Sequence, residues 1–330
     1  MRAPAFWWKR RPTLIARLLW PLGAIYGALT SRRMNRAGEG CGPPVVCIGN
    51  FVAGGAGKTP AAIAVAQALL AQGRKPVFLS RGYGSSATLP RLVDRARDTA
   101  LAVGDEPLLL ATVAPCVVAA DKLEGARACA AAGADVIVMD DGLQNPALTK
   151  HLRIAVVDGA VGVGNGLCLP AGPLRAPLSA QWGHVDALVV IGVGAPGEAI
   201  ARAAEALGKP VLRGRLAPDP GMAMGLAGRE VIAFAGIGRP EKFFDTLRAL
   251  GAEIVETEAF PDHHAFSPRE IAGLQARAKR RGAALVTTEK DAVRLGPAAS
   301  QLLTLPVRLA LDDEGALLAM LERLRPGTPA

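Results

Sequence analysis

The sequence predicts an α/β protein: a mainly parallel sheet flanked by helices, followed by a second, smaller α/β domain. Three observations lead there. From residue 43 onward, short runs of Val, Ile and Leu alternate with helical segments. A glycine-rich turn joins the first run to the first helix. The alternation stops at a Pro- and Gly-rich stretch, residues 217–228, and then resumes. Strands that alternate with helices pair in parallel and are covered on both faces, so each reads as a continuous apolar run.

Composition agrees. A chain of 330 residues is long enough for two domains. It is 50% hydrophobic and 20% charged, with 38 Gly and 25 Pro, which suits a globular protein with many tight connections. Cys41, Cys47, Cys116, Cys129 and Cys168 show no metal-ligand or redox spacing. They argue for a reducing compartment and against a disulfide framework or zinc site. The net charge of +9 points to an anionic partner, such as nucleic acid, a phosphate-bearing substrate or an acidic membrane surface. A simple preference for Arg would give the same surplus.

The elements follow in order. Trp7, Trp8, Leu14, Ile15, Leu18, Leu19, Leu22, Ile25, Tyr26 and Leu29 recur at helical spacing. Lys9, Arg10, Arg11 and Arg17 lie among them, and Arg32 and Arg33 follow. The uninterrupted apolar run, residues 18–29, is shorter than the roughly 20 residues that span a bilayer. A secretory signal would need a small-residue cleavage site, and none is evident. Residues 1–35 are therefore expected to form an interfacial helix, apolar on one side and cationic on the other, with a kink at Pro21. A helix packed on the protein's own core is the alternative.

Strands are then expected at residues 45–48, 77–79, 117–118, 136–139, 154–157 and 187–191, with helices at 60–71 and 122–132. These fall in a first domain, residues 36–226. A smaller domain, 227–311, holds strands at 231–235, 253–255 and 284–287 and helices at 241–250 and 268–281. A last helix, 314–324, within residues 312–330, is expected to pack back on the first domain.

The strongest chemical signal is Gly54-Gly55-Ala56-Gly57-Lys58-Thr59, between a strand and a helix. Glycines let successive backbone N–H groups turn onto phosphate oxygens, and the helix N-terminus adds positive potential. Lys58 then reaches the terminal phosphates and the Thr59 hydroxyl ligates Mg²⁺. This is a P-loop NTPase-type arrangement, with Val52, Ala53, Gly54, Gly55, Ala56, Gly57, Lys58 and Thr59 as the nucleotide-binding segment. It departs from the usual pattern in one place: Val52 stands where a glycine is normal.

Asp140-Asp141-Gly142 follows the apolar run 136–139. Carboxylates at the end of a strand beside a phosphate loop supply a further Mg²⁺ contact. Asp-Gly is also a common turn. Gly104-Asp105-Glu106-Pro107 reads by itself as a helix cap. Asp262-His263-His264 reads by itself as a pair of loop histidines. Arg81, Arg175 and Lys290 sit at strand ends or in loops, where an anionic ligand would meet them.

Taken together, these segments resemble the tetraacyldisaccharide 4'-kinase family of lipid A biosynthesis. The resemblance is carried in order by Gly49-Asn50, residues 54–60, Ser80-Arg81-Gly82-Tyr83-Gly84, residues 104–107, 140–144, 170–175, 236–244, 260–264 and 288–295. It implies a kinase that uses ATP and Mg²⁺ to phosphorylate the 4'-hydroxyl of a tetraacyl glucosamine disaccharide 1-phosphate, giving lipid IVA. It also implies a peripheral enzyme on the cytoplasmic face of the bacterial inner membrane, held by its N-terminal helix. By this resemblance Asp105 is the catalytic aspartate, His263 its partner, and Asp140 and Asp141 acids of the metal site. Asn50, Arg81 and Arg175 become candidate substrate contacts. Where the family often reads Arg-Glu-Pro, this chain has Arg175-Ala176-Pro177.

Two rival readings make different predictions. A P-loop NTPase that drives assembly or partner binding would have no lipid acceptor. A nucleic-acid module would show aromatic-studded basic strands, but aromatics are only 4% of the chain and no such motif occurs. The expected partners are thus the lipid substrate and an anionic membrane surface, with no nucleic acid and no obligate protein partner.

Overall fold

The computed structural model of the protein describes residues 3–82, 89–238 and 240–324. Tyr83 and Gly84, and the end of the C-terminal segment beyond residue 324, lie outside the described residues. The strands, in chain order, are β1 (Val45–Gly49), β2 (Pro76–Ser80), β3 (Arg91–Leu92), β4 (Cys116–Val118), β5 (Val136–Asp140), β6 (Leu152–Asp158) and β7 (Ala187–Ile191). They continue with β8 (Val211–Pro218), β9 (Glu230–Ala235), β10 (Glu253–Ala259), β11 (Ala284–Thr288), β12 (Leu303–Leu305) and β13 (Val307–Leu311).

They form two sheets. The larger has nine strands in the order β13-β8-β7-β6-β1-β5-β2-β4-β3, and the smaller has four in the order β10-β9-β11-β12. All pairs in the larger sheet are parallel except the two edges, β3 with β4 and β13 with β8. The smaller sheet is parallel throughout.

Both faces of the larger sheet are covered, as its unbroken apolar strands require. Side chains alternate across a strand. Val46 and Ile48 of β1 pack with Ala62, Ala66 and Leu69 of the Lys58–Ala71 helix. Val45 and Cys47, pointing the other way, join Leu79, Ile137 and Met139 beneath Ala126 and Cys129 of the Lys122–Ala131 helix. Ala155, Val157 and Leu188 meet Ile200 and Ala204 of the Ala195–Ala206 helix.

The return of the chain comes earlier than the sequence suggests. β13 lies in the larger sheet, so residues 307–311 do not belong with the smaller one. Leu317 and Leu321 of the Glu314–Glu322 helix are buried with the Lys58–Ala71 helix, and Gln72 Nε2 donates to the Leu318 carbonyl at 3.2 Å. The stretch read as strand-poor begins inside β8, which runs to Pro218.

The N-terminus also differs. Leu14–Met34 is one helix of 21 residues, long and apolar enough to cross a membrane by length and composition. The shorter estimate came from counting only the run unbroken by charge. Trp7 and Trp8 are not part of this helix. They lie in a 3₁₀ turn, Ala5–Trp8, where Trp7 Nε1 donates to the Pro170 carbonyl at 3.0 Å and Trp8 packs beside Phe51 and Val52.

The helix turns its small residues inward. Ala16, Gly23 and Gly27 are buried, while Leu14, Leu18, Leu22, Ile25 and Leu29 are exposed. A Cβ on Gly23 would sit 2.8 Å from the Cys168 carbonyl oxygen, and one on Gly27 would sit 2.9 Å from Cys168 Sγ. The helix is thus seated directly on the 168–177 segment. Of the cations, Arg17 lies within the helix and is exposed, Lys9, Arg10 and Arg11 precede it, and Arg32 and Arg33 close it.

Candidate active site

The glycine-rich loop bridges the end of β1 and the Lys58–Ala71 helix. Gly54 and Gly57 have φ of 126° and 89°, where an L side chain is strained. Gly57 also abuts β7, since a Cβ there would lie 2.5 Å from Ile191 Cδ1. Val52 has the opposite requirement. It forms an antiparallel bridge with Leu174 and is 5% exposed. An extended, buried position favours a branched side chain, which accounts for the missing glycine. Ala53 N–H donates to the Pro173 carbonyl at 2.7 Å, so the loop entrance is pinned on the 168–177 segment.

Asn50 is fully buried beneath this loop. Its Nδ2 donates to the Gly54 carbonyl at 3.0 Å, and its own carbonyl accepts from Gln144 Nε2 at 2.8 Å. Asn50 thus braces the loop from beneath, with its Oδ1 buried and without a hydrogen-bond partner among the described residues. Lys58 Nζ lies 3.5 Å from the Gly54 carbonyl and 3.8 Å from Asp141.

Asp140 ends β5, paired with Ile48 of β1, so both acids stand beside the loop. Asp141 adopts φ 56°, unusual for a residue other than glycine. Arg175 donates to its two carboxylate oxygens at 2.8 and 3.0 Å. Burial would raise the Asp141 pKa, but Lys58 and Arg175 outweigh it and hold the carboxyl below its usual range. Asp140 is the reverse: burial, then the charge of Glu106, pushes it up. Its Oδ1 is buried without a hydrogen-bond partner among the described residues. An orphaned buried carboxylate oxygen is costly unless a cation meets it. With Thr59 in the first turn of the neighbouring helix, the donor set of hard oxygens fits Mg²⁺.

Arg175 is therefore committed to Asp141, and its Nε donates to the Val52 carbonyl at 3.1 Å. Next to it Ala176 is fully buried, its carbonyl accepting from Gln181 Nε2 at 2.7 Å. Arg81 is exposed at the end of β2. Its neighbour Lys122, unnoticed in the sequence, is 3% exposed and donates to the Ala119 carbonyl at 2.8 Å. Burial first, then Arg81, lowers the Lys122 pKa to about 8.

Asp105 and His263 meet across the two sheets, although 158 residues separate them. Asp105 lies in the first turn of the Asp105–Leu110 helix, and its Oδ1 accepts the Glu106 N–H at 3.0 Å. His263 sits in the loop after β10 with φ 59°. Its Nδ1 is 3.1 Å from Asp105 Oδ2, and its Nε2 is 3.5 Å from Lys290 Nζ. Nδ1 thus faces the Asp105 carboxylate and Nε2 the Lys290 ammonium. Lys290 Nζ is also 3.7 Å from Asp105 and from Glu106. Arg294, which sequence reasoning missed, binds the same Asp105 oxygen, its Nε at 2.8 Å. Burial favours the protonated acid, but His263, Lys290 and Arg294 together hold Asp105 well below the usual carboxylate range. A second contact between the sheets joins Lys242 to Asp158 at 3.1 Å.

The family profile described as Tetraacyldisaccharide-1-P 4'-kinase matches residues 15–325. The chain belongs to this family. A relative from Methylobacterium sp. (strain 4-46), named Tetraacyldisaccharide 4'-kinase, is 60% identical and covers 99% of both chains. Another of that name, from Rhodopseudomonas palustris (strain BisB5), is 51% identical over 98% of this chain and 97% of its own. The crystal structure of LpxK from Aquifex aeolicus in complex with ATP shares the fold, with a TM-score of 0.74 at 24% identity. That match covers 94% of this chain and 99% of the other. The tetraacyldisaccharide 4'-kinase family thus spans the glycine loop, both acidic pairs and the histidine loop.

Proposed function

We propose that this chain transfers the γ-phosphoryl group of ATP directly to the 4'-hydroxyl of a tetraacyl glucosamine disaccharide 1-phosphate, giving lipid IVA. The observation that carries the reading is the meeting of Asp105 and His263, 3.1 Å apart although 158 residues separate them. Glu106 is close enough to Asp140 to raise its pKa, which ties the pair to the acidic end of β5.

Catalysis of phosphoryl transfer is mostly positioning and charge neutralisation. The loop N–H groups of residues 54–57 and Lys58 hold the phosphates. Asp140, Asp141 and Thr59 would hold Mg²⁺, whose charge offsets that of the phosphate oxygens. Asp105 accepts the proton of the sugar hydroxyl as its oxygen bonds to phosphorus and the bond to the ADP oxygen breaks. His263 orients the carboxylate through Nδ1. Arg175 fixes Asp141 against the loop, and Arg81 with Lys122 supplies positive charge for the anionic acceptor.

In this reading residues 36–226 and 307–324 form the phosphate-loop domain. Residues 227–306 form a smaller domain that delivers His263. Residues 1–35 attach the enzyme peripherally to the cytoplasmic face of the inner membrane. The exposed row Leu14, Leu18, Leu22, Ile25 and Leu29, flanked by cations at both ends, supports that attachment.

The test is a transfer assay with labelled ATP and the tetraacyl disaccharide 1-phosphate. Label is expected on the lipid. ATP consumed without labelled lipid would overturn the reading in favour of an NTPase with no acceptor. For the membrane role, deleting residues 5–30 is expected to abolish flotation with anionic vesicles, and unchanged flotation would exclude the helix as the contact.

A further inference from the structure

Asp105 has two oxygens in different surroundings. Among the described residues Oδ1 accepts one N–H, from Glu106. Oδ2 faces His263 Nδ1, Lys290 Nζ and two nitrogens of Arg294. The arginine and the carboxylate are each 6% exposed. Arg294 is itself held from behind. Its Nη1 donates to the Gly236 carbonyl and to Asp291 Oδ1, both at 2.6 Å. Asp291 is fully buried and accepts from the Gly236 N–H at 3.0 Å and the Thr288 hydroxyl at 2.7 Å. The Gly236 carbonyl also accepts the His263 N–H at 3.2 Å. One peptide at the end of β9 therefore sets His263 and Arg294 side by side. Gly236 leaves little room for change, since a Cβ there would meet Asp291 Oδ1 at 3.1 Å.

We infer that Arg294 is a positioning residue: it anchors Oδ2 of Asp105 to the smaller domain and leaves Oδ1 to take the proton of the acceptor hydroxyl. The inference rests on Asp105 being the base. Two roles follow from the geometry. Two guanidinium nitrogens converging on one oxygen hold Oδ2 in place more firmly than a single hydrogen bond does. The guanidinium charge also offsets that of Asp105, which must approach an anionic phosphoryl group. His263 alone meets Oδ2 through a single ring nitrogen.

Asp105 faces a defined set of groups. Glu106 is on its own helix. His263 and Asp262 come from the loop after β10, and Lys290, Asp291 and Arg294 from the Glu289–Leu295 helix. The Lys58–Ala71 helix and β4 also pack against the Asp105–Leu110 helix; their titratable side chains are Lys58 and the buried Cys116, and the Ala100–Val103 turn has none. Removing Arg294 takes away the closest cation, so Asp105 gains a proton at higher pH than before.

The experiment measures label transfer from ATP to the lipid, across pH, for the full chain and for Arg294→Ala, Arg294→Lys, Asp105→Asn and the Asp105→Asn, Arg294→Ala pair. Arg294→Ala is expected to lower kcat about 100-fold, the scale of a misplaced catalytic group, with KM for ATP unchanged. The acid side of its kcat profile is expected to move to higher pH. Arg294→Lys restores part of kcat and part of that shift. The double variant is expected to be no worse than Asp105→Asn. A fall in kcat with an unmoved pH profile, or additive losses, would overturn the inference and leave Arg294 a structural residue. Should Arg294→Ala fail to fold by circular dichroism, the profile of Arg294→Lys decides by the same criterion. An active Asp105→Asn would overturn the base itself. An inactive Asp105→Asn beside an unaffected Arg294→Ala would overturn only the role of Arg294.

Discussion

Arg175 grips Asp141 through two nitrogens, at 2.8 and 3.0 Å, while the adjacent Asp140 keeps a buried oxygen with no hydrogen bond among the described residues. The two acids therefore have different surroundings. One is already neutralised by the protein; the other is not. Arg175→Ala is expected to cost about 1.5–3 kcal/mol in kcat/KM for ATP, roughly 10- to 100-fold, as befits a lost charge-assisted pair. Arg175→Lys should recover little, since one ammonium cannot span both oxygens and the Val52 carbonyl. Steady-state kinetics with ATP varied check both.

Asp140 gives a stability prediction with an unusual sign. Its folded pKa is raised by burial, so it favours the folded state only while protonated. Stability from this group is present at low pH and is lost as pH rises through the elevated pKa. Above that range, Asp140→Asn is expected to raise Tm of the ligand-free protein while abolishing most phosphate transfer. Scanning calorimetry at neutral and mildly alkaline pH, beside the transfer assay, reads both. A lower Tm would show that the carboxylate has a partner in solution.

Asp105 behaves in the opposite way. Its folded pKa is depressed, so its contribution is present above the unfolded carboxylate pKa and lost as pH falls toward the folded one. Asp105→Asn is expected to lower kcat by about 10²- to 10⁴-fold, the range for a general base, with little change in KM for ATP. It should also lower Tm at neutral pH, since Arg294 and Lys290 lose a shared anion. Opposite shifts in Tm for two inactivating Asp→Asn changes would separate their environments directly.

Much of this architecture is visible in the sequence because parallel strands buried on both faces cannot hide polar residues. The runs at β1, β5 and β7 are of that kind. β8 and β13 are not: Val-Leu-Arg-Gly-Arg-Leu-Ala-Pro is only partly buried, and its antiparallel partner lies far along the chain. The Ala195–Ala206 helix was masked by Pro196-Gly197, which reads as a turn although proline suits a first helical turn. Gly197 is needed there because a Cβ would come within 2.4 Å of Gly159 Cα.

The site divides in the same way. The glycine loop and Asp140-Asp141 stand out as local patterns, whereas Asp105 and His263 become candidates only through the ordered set of segments that resembles the family. Arg294 does not. Asp291 and Arg294 at helical spacing look like an ordinary surface pair, and only the three-dimensional packing buries them. Asn50 shows the converse, since its place beside the loop suggests contact with substrate while its side chain is turned inward.

The seat of the N-terminal helix makes a further prediction. Gly23→Leu would drive a side chain into the Cys168 carbonyl, whose oxygen lies 2.8 Å from where a Cβ would stand. The exposed apolar row is untouched by this change. The variant is expected to float with anionic vesicles as before, yet to phosphorylate vesicle-borne acceptor up to about 100-fold more slowly, the scale of a displaced reactive group. Loss of flotation would mean that the seat is needed for membrane attachment itself.

The segment beneath that seat, residues 168–177, also carries the bridge from Leu174 to Val52 and the grip of Arg175 on Asp141. On the interfacial reading, helix, segment and phosphate loop form one rigid strut standing on the bilayer. Its length sets the depth at which the enzyme works. A hydroxyl at headgroup level falls within reach, and one sunk among the acyl chains does not. Selection among lipid hydroxyls would then begin as a measurement of height, before any contact with the sugar itself.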